Sequence, residues 1–294
     1  MAQNHRYLFR FLAALVLFGF NGVIASHIPL SSGQIVLLRS ALGGASLLAL
    51  FLLSGHRLSF AGRQRDAVLV LLSGAAMGGS WMLLYAGYRT IGVSAASLLY
   101  YCGPVLVMAL SPLVFHERLT WEKLTGFACV CLGVVLVNGI GSGMSLRGFL
   151  LGICSAVCYA VMLILNKKAK RMDGMENSLL QLISAAVTVL AVLTVQGGLP
   201  TAIPAASWPW ILLLGVVSTG FGCWCYFSSI GALPVQTVAV CGYIEPLGAV
   251  VFSALLLHER MTPLQIAGAV LILGGALFAE CIHERRAAAR TAAH

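Results

Sequence analysis

Apolar stretches of about twenty residues recur along almost the whole of this 294-residue chain, and they constrain its fold more than any other feature. Hydrophobic residues make up 60% of the chain and charged residues only 9%, against roughly 45–50% and 25% in soluble domains. A soluble core has no room for so many apolar side chains. In a bilayer, about 20 mostly apolar residues cross the hydrocarbon as a helix that satisfies its own backbone hydrogen bonds. The sequence therefore predicts an all-α membrane protein.

Windows of about twenty residues predict ten transmembrane helices in two sets of five around a central cavity. The first set covers residues 7–25, 33–54, 67–88, 93–113 and 121–139, and the second covers 147–166, 176–196, 208–228, 235–257 and 263–282. Short connections with turn formers such as Pro29 and Pro200 separate the helices. We expect two five-helix repeats, residues 1–142 and 143–282, followed by a cytoplasmic tail of residues 283–294.

The positions of the 18 lysine and arginine residues predict the orientation of these helices. With a cytoplasmic N-terminus, the inside segments hold fourteen of them, and the outside connections hold only Arg89, Arg147 and Arg260. The remaining one, Arg39, falls within the second helix. Because positive charge is enriched on the cytoplasmic side of membrane proteins, both termini are predicted to be cytoplasmic. The net charge of +9 is interpreted as a topology signal and not as a nucleic-acid surface.

The nine cysteines and seven histidines do not form the patterns of a metal site. Most cysteines fall inside apolar segments, and the C-x-C pairs lack a second pair at the spacing that zinc requires. The sequence contains no G-x-S-x-G, H-E-x-x-H or P-loop pattern. We therefore expect no metal, no cofactor, no catalytic residues and no enzyme activity.

An internal repeat links the two halves of the chain. A shift of 142 residues places His116-Glu117-Arg118-Leu119-Thr120 on His258-Glu259-Arg260-Met261-Thr262, with four of the five positions identical. The same register matches Tyr101 with Tyr243, Pro104 with Pro246, Gly126 with Gly268 and Gly133 with Gly275, and a shift of 139 matches Phe20 with Tyr159 and Ile91-Gly92 with Ile230-Gly231. We expect Glu117 and Glu259 to cap or pair locally at helix junctions.

Each half has an odd number of predicted crossings, so the two His-Glu-Arg loops should face opposite sides of the membrane. The repeat is then inverted. Inverted repeats are the usual basis of alternating access, in which a substrate site near the midplane lies between two halves that rock against each other.

The chain resembles the EamA-like family of the drug/metabolite transporter superfamily. The resemblance covers nearly the whole chain and rests on ten helices in two repeats, on Arg39 in the second helix, and on the recurrence of proline followed by Glu-Arg (Pro104 to Glu117-Arg118, Pro246 to Glu259-Arg260). It implies a bacterial inner-membrane exporter of amino acids or related metabolites. Within the family, the chain looks most like the YddG-type amino-acid exporters.

Two charged residues are predicted to lie well inside helices. Glu245 precedes Pro246 in the ninth helix, where an unpaired carboxylate costs roughly 2.5–3.5 kcal/mol on insertion scales. It should therefore face the interior of the bundle, be protonated or have a partner. In a functional role it contacts a substrate ammonium group or a coupled proton. In a structural role it locks the bend at Pro246. Arg39 either holds a substrate carboxylate or pairs structurally with Glu245 or a backbone carbonyl.

Aromatic and polar side chains complete the candidate site. Trp81, Tyr85 and Tyr88 share one face of the third helix, and Phe221, Trp224 and Phe227 share one face of the eighth. Such faces line a cavity with cation–π capacity or form an interfacial belt. The candidate cavity residues are Glu245, Tyr85, Trp224, Trp81, Tyr88, Tyr100, Tyr101, Tyr159, Tyr243 and Asn21, with Arg39 as a carboxylate partner or structural residue and Pro104 and Pro246 as hinges.

Other functions stay open at this point. Efflux of lipophilic cations or drugs fits Glu245 and the aromatic faces. An organophosphate or nucleotide-sugar antiporter would normally need more buried cations than Arg39. A receptor or scaffold without transport activity is the alternative from a different class. The expected partners are a small-molecule substrate and membrane lipid but no nucleic acid, and the expected assembly is a monomer.

Overall fold

The computed structural model describes residues 2–55, 63–116, 121–137, 145–169, 172, 174–200, 202–230, 232–233, 241–275 and 278. Within these residues the regular structure is helical. The helices are α1 (Ala2–Gly19), α2 (Asn21–Ser26), α3 (Ser32–Leu53), α4 (Gln64–Tyr100), α5 (Cys102–Phe115), α6 (Trp121–Val137), α7 (Leu146–Lys168), α8 (Gly174–Val195), α9 (Trp208–Leu212) and α10 (Gly222–Ile230), with a 3-10 turn at Ala205–Ser207 and a π-helix at Leu213–Phe221 between α9 and α10. Two further helices span Ile244–Leu256 and Pro263–Gly275.

Six of the described helices are long and apolar enough to cross a membrane, and three more are apolar but shorter. The shorter ones are Leu124–Val137, Ile244–Leu256 and Pro263–Gly275. Some predicted segments lie outside the described residues. They are the start of the ninth helix, most of the C-terminal end of the tenth helix, and the whole predicted tail (residues 283–294). The all-helical membrane architecture is thus present, whereas the number of ten crossings stays a prediction.

The predicted third and fourth helices form one helical stretch, Gln64–Phe115, of 52 residues. A straight helix of that length would measure about 78 Å, more than twice the roughly 30 Å of the hydrocarbon. The stretch is broken at Gly92, whose φ of 83° and ψ of 166° are not helical, and again by a turn at Tyr101. The first break coincides with the predicted connection between the two helices.

Contacts at the helix ends fall into two groups. At one end, the Gln34 side chain donates to the Gly198 carbonyl at 2.9 Å, and the Arg89 guanidinium donates to the Leu30 carbonyl. At the other end, Asn177 donates to Asn166. In each of these contacts, both residues belong to segments that are predicted to lie on the same side of the membrane.

Paired glycines let two of the shorter helices cross at close range. A Cβ at Gly133 in α6 would lie 2.6 Å from the carbonyl oxygen of Gly268, and a Cβ at Gly268 would lie 2.6 Å from that of Gly133. Gly275 contacts the carbonyl of Gly126. Because Gly126 lies beside Gly275 and Gly133 lies beside Gly268, the two helices run antiparallel.

The aligned histidines of the two His-Glu-Arg motifs share an unusual conformation. His116 has a φ of 57° and His258 a φ of 56°, and they are the non-glycine residues with positive φ in the described part of the chain. Left-handed residues commonly end helices, and each of these follows an apolar helix. The sequence match between the motifs is thus accompanied by a match in backbone geometry.

We expect Gly268→Ala to destabilise the protein, because the added methyl group would overlap the Gly133 carbonyl. Overpacking of this kind costs about 1–3 kcal/mol, so the unfolding midpoint in detergent should fall by several degrees. Gly274→Ala is the matched control, since a Cβ at Gly274 meets nothing within 4 Å. Equal midpoints for the two variants would show that the helices do not cross as described.

Candidate functional site

A cavity of about 380 Å³ lies within the helix bundle, a volume in the range of small-molecule sites. Helices from both predicted repeats contribute to its walls, which are largely apolar and aromatic. Nine of the residues singled out from the sequence line it: Asn21, Arg39, Trp81, Tyr85, Tyr88, Tyr100, Tyr101, Tyr159 and Glu245. The cavity therefore collects side chains that are far apart in the sequence.

Arg39 is buried, with 4% of its surface exposed. Its Nε donates to the Thr219 hydroxyl at 3.2 Å, and its Nη1 donates to the Tyr85 hydroxyl. The guanidinium also lies over the Trp81 ring, with Cζ 4.1 Å from the ring centre. These contacts fix the charge at the cavity wall, and Arg39 also interacts electrostatically with Glu245.

The π-helix at Leu213–Phe221 positions one of these partners. The Thr219 hydroxyl donates to the Leu214 carbonyl, five residues earlier, at 2.7 Å, so its oxygen remains able to accept from Arg39. Gly43 and Gly215 allow α3 to approach the π-helix, because a Cβ at Gly43 would lie 2.5 Å from the Thr219 side chain. π-Helical turns are rare and are frequent at functional sites.

Glu245 is the second residue of the Ile244–Leu256 helix, and its side chain lines the cavity. Its carboxyl group interacts with the Tyr101 side chain. Its position in the first turn places the carboxyl near the positive end of the helix dipole, which favours a negative charge. Among the described residues that line the cavity there is thus one carboxyl group and one guanidinium group.

Five of the tyrosines that line the cavity contact one another. Tyr159 in α7 stacks on Tyr100 with ring centres 4.4 Å apart and an interplanar angle of 4°. Tyr101 meets Tyr100 edge-on at 5.2 Å, and Tyr85 contacts Tyr88 at 5.1 Å. The exposed faces and edges of these rings can contact either apolar groups or a cation.

Amide and hydroxyl groups line the end of the cavity near the C-terminus of α7, and the sequence did not single them out. They are Asn166, Ser178 and Gln181. Asn177 donates to Asn166 Oδ1 at 2.9 Å, and Gln181 donates to Asn177 Oδ1 at 2.8 Å. The spacing of Asn177 and Gln181 by four residues on one helix was the available signal. Asn166 therefore joins the hydrogen-bonded amides of α8 to the cavity lining.

Two predicted aromatic residues lie outside the cavity lining. Trp224 packs against Phe221 and under the Arg10 guanidinium, which is 5.1 Å from its ring centre. Tyr243 packs with the cluster around Val105 and Ile272. In this part of the chain the cavity is lined by Cys223 and Tyr226, and the side chain of Phe227 lies outside the described residues.

The two predicted hinges lie in the first turns of helices. Pro104 is the third residue of α5 and Pro246 is the third residue of the Ile244–Leu256 helix, where proline costs no intrahelical hydrogen bond. The helical breaks precede them, at Tyr101 and Tyr243, which are aligned by the repeat. Both breaks adjoin residues that line the cavity, and the role of Pro104 and Pro246 as hinges stays a prediction.

Comparison with known proteins relates both halves of the chain to one family. The model of the EamA-like transporter family matches residues 5–139 and again residues 146–280. A crystal structure that is 19% identical aligns with a TM-score of 0.64 over 93% of this chain and 96% of its own chain. At that identity, the alignment shows a common fold.

Several curated bacterial proteins are similar over most of their length. An uncharacterised Bacillus subtilis transporter, YxxF, is 22% identical over 93% of this chain and 89% of its own. The threonine/homoserine exporter RhtA of Salmonella typhimurium is 27% identical over 82% of this chain and 79% of its own. A probable amino-acid metabolite efflux pump of the same species is 31% identical over 61% of this chain and 64% of its own.

Replacing Tyr85 with Phe should destabilise the protein, because the Arg39 Nη1 donor would lose its buried acceptor. A buried donor without a partner costs about 1–3 kcal/mol. The measurement is the unfolding midpoint in detergent, with Tyr88→Phe as the control, since the Tyr88 hydroxyl has only a long 3.5 Å contact with Ser97. If both variants unfold at the parental midpoint, Tyr85 does not hold Arg39.

Proposed function

We propose that this chain, which belongs to the EamA-like transporter family, exports amino acids or related small metabolites across the bacterial inner membrane by alternating access. The chain is a multi-pass membrane protein and a transporter rather than an enzyme, as its relatives are. With no P-loop in the sequence, transport is secondary active or facilitative. The observation that carries the proposal is a cavity with one carboxyl group, one guanidinium group and otherwise largely apolar walls.

The charges of the cavity suit a zwitterion. An amino acid carries an ammonium group and a carboxylate on the same carbon atom. In our proposal Glu245 and the tyrosine rings contact the ammonium group, through an ion pair and cation–π contacts. The positive charge of Arg39 attracts the substrate carboxylate. Contacts with Thr219, Tyr85 and Trp81 hold the guanidinium group in place. The apolar wall then receives the carbon atoms of the substrate.

The amide end of the cavity favours substrates with a polar side chain. Asn166, Ser178 and Gln181 offer hydrogen-bond donors and acceptors there, and a hydroxyl group can use both. Threonine and homoserine, the substrates named for the relative RhtA, carry such a hydroxyl group. We propose that small hydroxylated amino acids are among the substrates of this chain.

The architecture we propose is ten helices in two inverted repeats, residues 1–142 and 143–282, with both termini cytoplasmic. The antiparallel crossing of α6 with the Pro263–Gly275 helix supports it, because the sequence repeat aligns these two helices. If repeat partners run antiparallel, the two halves have opposite orientations in the bilayer. The shared conformation of His116 and His258 supports the same alignment.

Efflux of lipophilic cations is the second candidate function. The tyrosine wall and Glu245 favour it, because aromatic faces and a carboxylate recognise quaternary ammonium groups. An organophosphate or nucleotide-sugar substrate is disfavoured, since Arg39 is the one cation among the described lining residues. Competition by a quaternary ammonium compound against an amino acid distinguishes the two candidates.

We expect Glu245→Gln to reduce the rate of amino-acid transport into proteoliposomes by about 10–100-fold, because a charge-assisted hydrogen bond contributes about 1.5–3 kcal/mol. Asp66→Asn is the matched control. It removes the same charge in the first turn of α4, away from the cavity lining.

Parental transport by Glu245→Gln would contradict the proposed role of the carboxyl group. Saturable binding of amino acids by the parental protein without flux under any gradient would instead identify a receptor. Glu245-dependent flux of a quaternary ammonium compound, with no amino-acid flux, would favour cation efflux.

Asn166→Leu should change the substrate preference more than the overall rate. The substitution removes an amide that lines the cavity and keeps a similar volume. Loss of one hydrogen bond of about 1 kcal/mol should lower the ratio of threonine to leucine counterflow by roughly fivefold to tenfold. An unchanged ratio would mean that the amide end does not contact the substrate side chain.

A further inference from the structure

We propose that Glu259 is a latch that holds one end of the cavity closed and must release for substrate to pass through that end. The inference rests on the proposed transport function and adds a residue that lies outside the cavity. Its basis is a set of hydrogen bonds between the second half of the chain and the helical break in the first half.

The Glu259 carboxylate accepts three hydrogen bonds from two consecutive residues. Oε1 accepts from the Val93 N–H at 2.6 Å, and Oε2 accepts from the Ser94 N–H at 2.9 Å and from the Ser94 hydroxyl at 2.7 Å. Ser94 and Ser253 also share a hydrogen bond of 2.6 Å between their hydroxyl groups. Charge-assisted bonds of this kind are stronger than neutral ones.

The break at Gly92 creates the donors that Glu259 uses. Its φ of 83° ends the helical path, so the next N–H groups lie at the start of a new helical segment and need acceptors from outside it. A carboxylate there is also favoured by the helix dipole. A Cβ at Gly92 would lie 2.8 Å from Glu259 Oε1, so both the conformation and the close contact require glycine.

Glu259 was expected to cap or pair locally, and it caps a helical segment more than 160 residues away in the sequence. The left-handed His258 redirects the chain directly before it. The corresponding prediction for Glu117 lies outside the described residues.

The latch lies at the end of the cavity opposite the amide groups. Gly148, at the start of α7, contacts Ile91 and Thr90, which places the Gly92 break at that end of α7. Asn166 lies eighteen residues further along α7, a distance of about 27 Å along the axis. Tyr88 and Ser97, which line the cavity, lie within about one helical turn of the break.

An apolar layer lies beside the latch and also joins the two halves. Phe20 stacks on Phe252 with ring centres 3.7 Å apart. A Cβ at Gly19 would lie 3.1 Å from the Glu245 carbonyl oxygen and 3.3 Å from the Gly248 backbone. Opening this end requires these contacts to separate, and the Glu259 bonds oppose that separation.

The latch bonds predict a specific pattern of amide protection. In Glu259→Gln, we expect hydrogen–deuterium exchange of the amides of Val93 and Ser94 to rise at least tenfold in the full-length protein in detergent. Ser94→Ala removes one hydrogen-bond donor and keeps the Glu259 carboxylate, so it should increase amide exchange by a smaller factor. This variant replaces Glu259→Gln in the experiment if Glu259→Gln does not fold.

Gln265→Ala is the matched control for the exchange experiment. Gln265 lies in the first turn of the Pro263–Gly275 helix, six residues after Glu259, and caps that helix by accepting from the Thr262 N–H at 2.9 Å. It should leave exchange at Val93 and Ser94 unchanged. Unchanged exchange in both Glu259→Gln and Ser94→Ala would refute the latch, whether or not the protein transports amino acids.

A reversible crosslink tests the requirement for opening. In the double variant Ser94→Cys/Ser253→Cys, oxidation should link the two halves at the latch and reduce transport in proteoliposomes at least tenfold. Amino-acid binding should persist, and reduction should restore the flux. The oxidised parental protein controls for its native cysteines.

The outcomes separate the latch from the proposed function. If the fully crosslinked protein transports at the parental rate, transport does not require the two halves to separate at this end. That result would overturn the latch. Absence of flux in the parental and reduced proteins would overturn amino-acid transport, and the exchange experiment would still decide whether Glu259 protects the break.

Discussion

The hydrocarbon of a membrane offers no hydrogen-bond partner to a peptide group, and this constraint governs the whole structure. A regular helix satisfies its own backbone, so each break in a helix must be satisfied by the protein or lie beside a cavity. The described breaks obey this rule. Glu259 caps the break at Gly92, and the turns at Tyr101 and Tyr243 adjoin residues that line the cavity. The irregular backbone therefore marks the parts of the bundle that are available for function.

The buried arginine depends on another irregular segment. A guanidinium in an apolar bundle needs acceptors and a polarizable surface around it. Arg39 obtains them from the Thr219 hydroxyl, the Tyr85 hydroxyl and the Trp81 ring. Thr219 lies in the π-helix, where its hydroxyl hydrogen is taken up by a carbonyl five residues earlier. The charge is therefore fixed by contacts across several helices, and the cavity keeps a permanent positive site.

The sequence predicts most of this arrangement because its signals are strong and local. Long apolar windows identify the helices, and charge at bilayer depth identifies Arg39 and Glu245, which both line the cavity. The face of a helix beyond a π-turn is a different matter. The prediction of Trp224 rested on the aromatic face that it shares with Phe221 and Phe227. The wider turns at Leu213–Phe221 change the angular position of the residues that follow, and Cys223 and Tyr226 line the cavity instead. Asn166 was missed because an asparagine near a helix end usually serves a capping or turn role, and Gln181 because a single amide within an apolar helix more often makes an interhelical hydrogen bond.

The repeat organises the scaffold but not the binding chemistry. Crossing glycines, left-handed histidines and breaks before proline recur in both halves. The position that the repeat aligns with Glu245 is Gly103, where a Cβ would lie 2.6 Å from the Tyr159 ring and no carboxyl group would fit. The carboxyl group is therefore present in one half only. In the transport cycle we propose, the two related halves exchange their arrangements to open the cavity at either end, while the Glu245 carboxylate keeps the same pole of the substrate bound to the same half throughout.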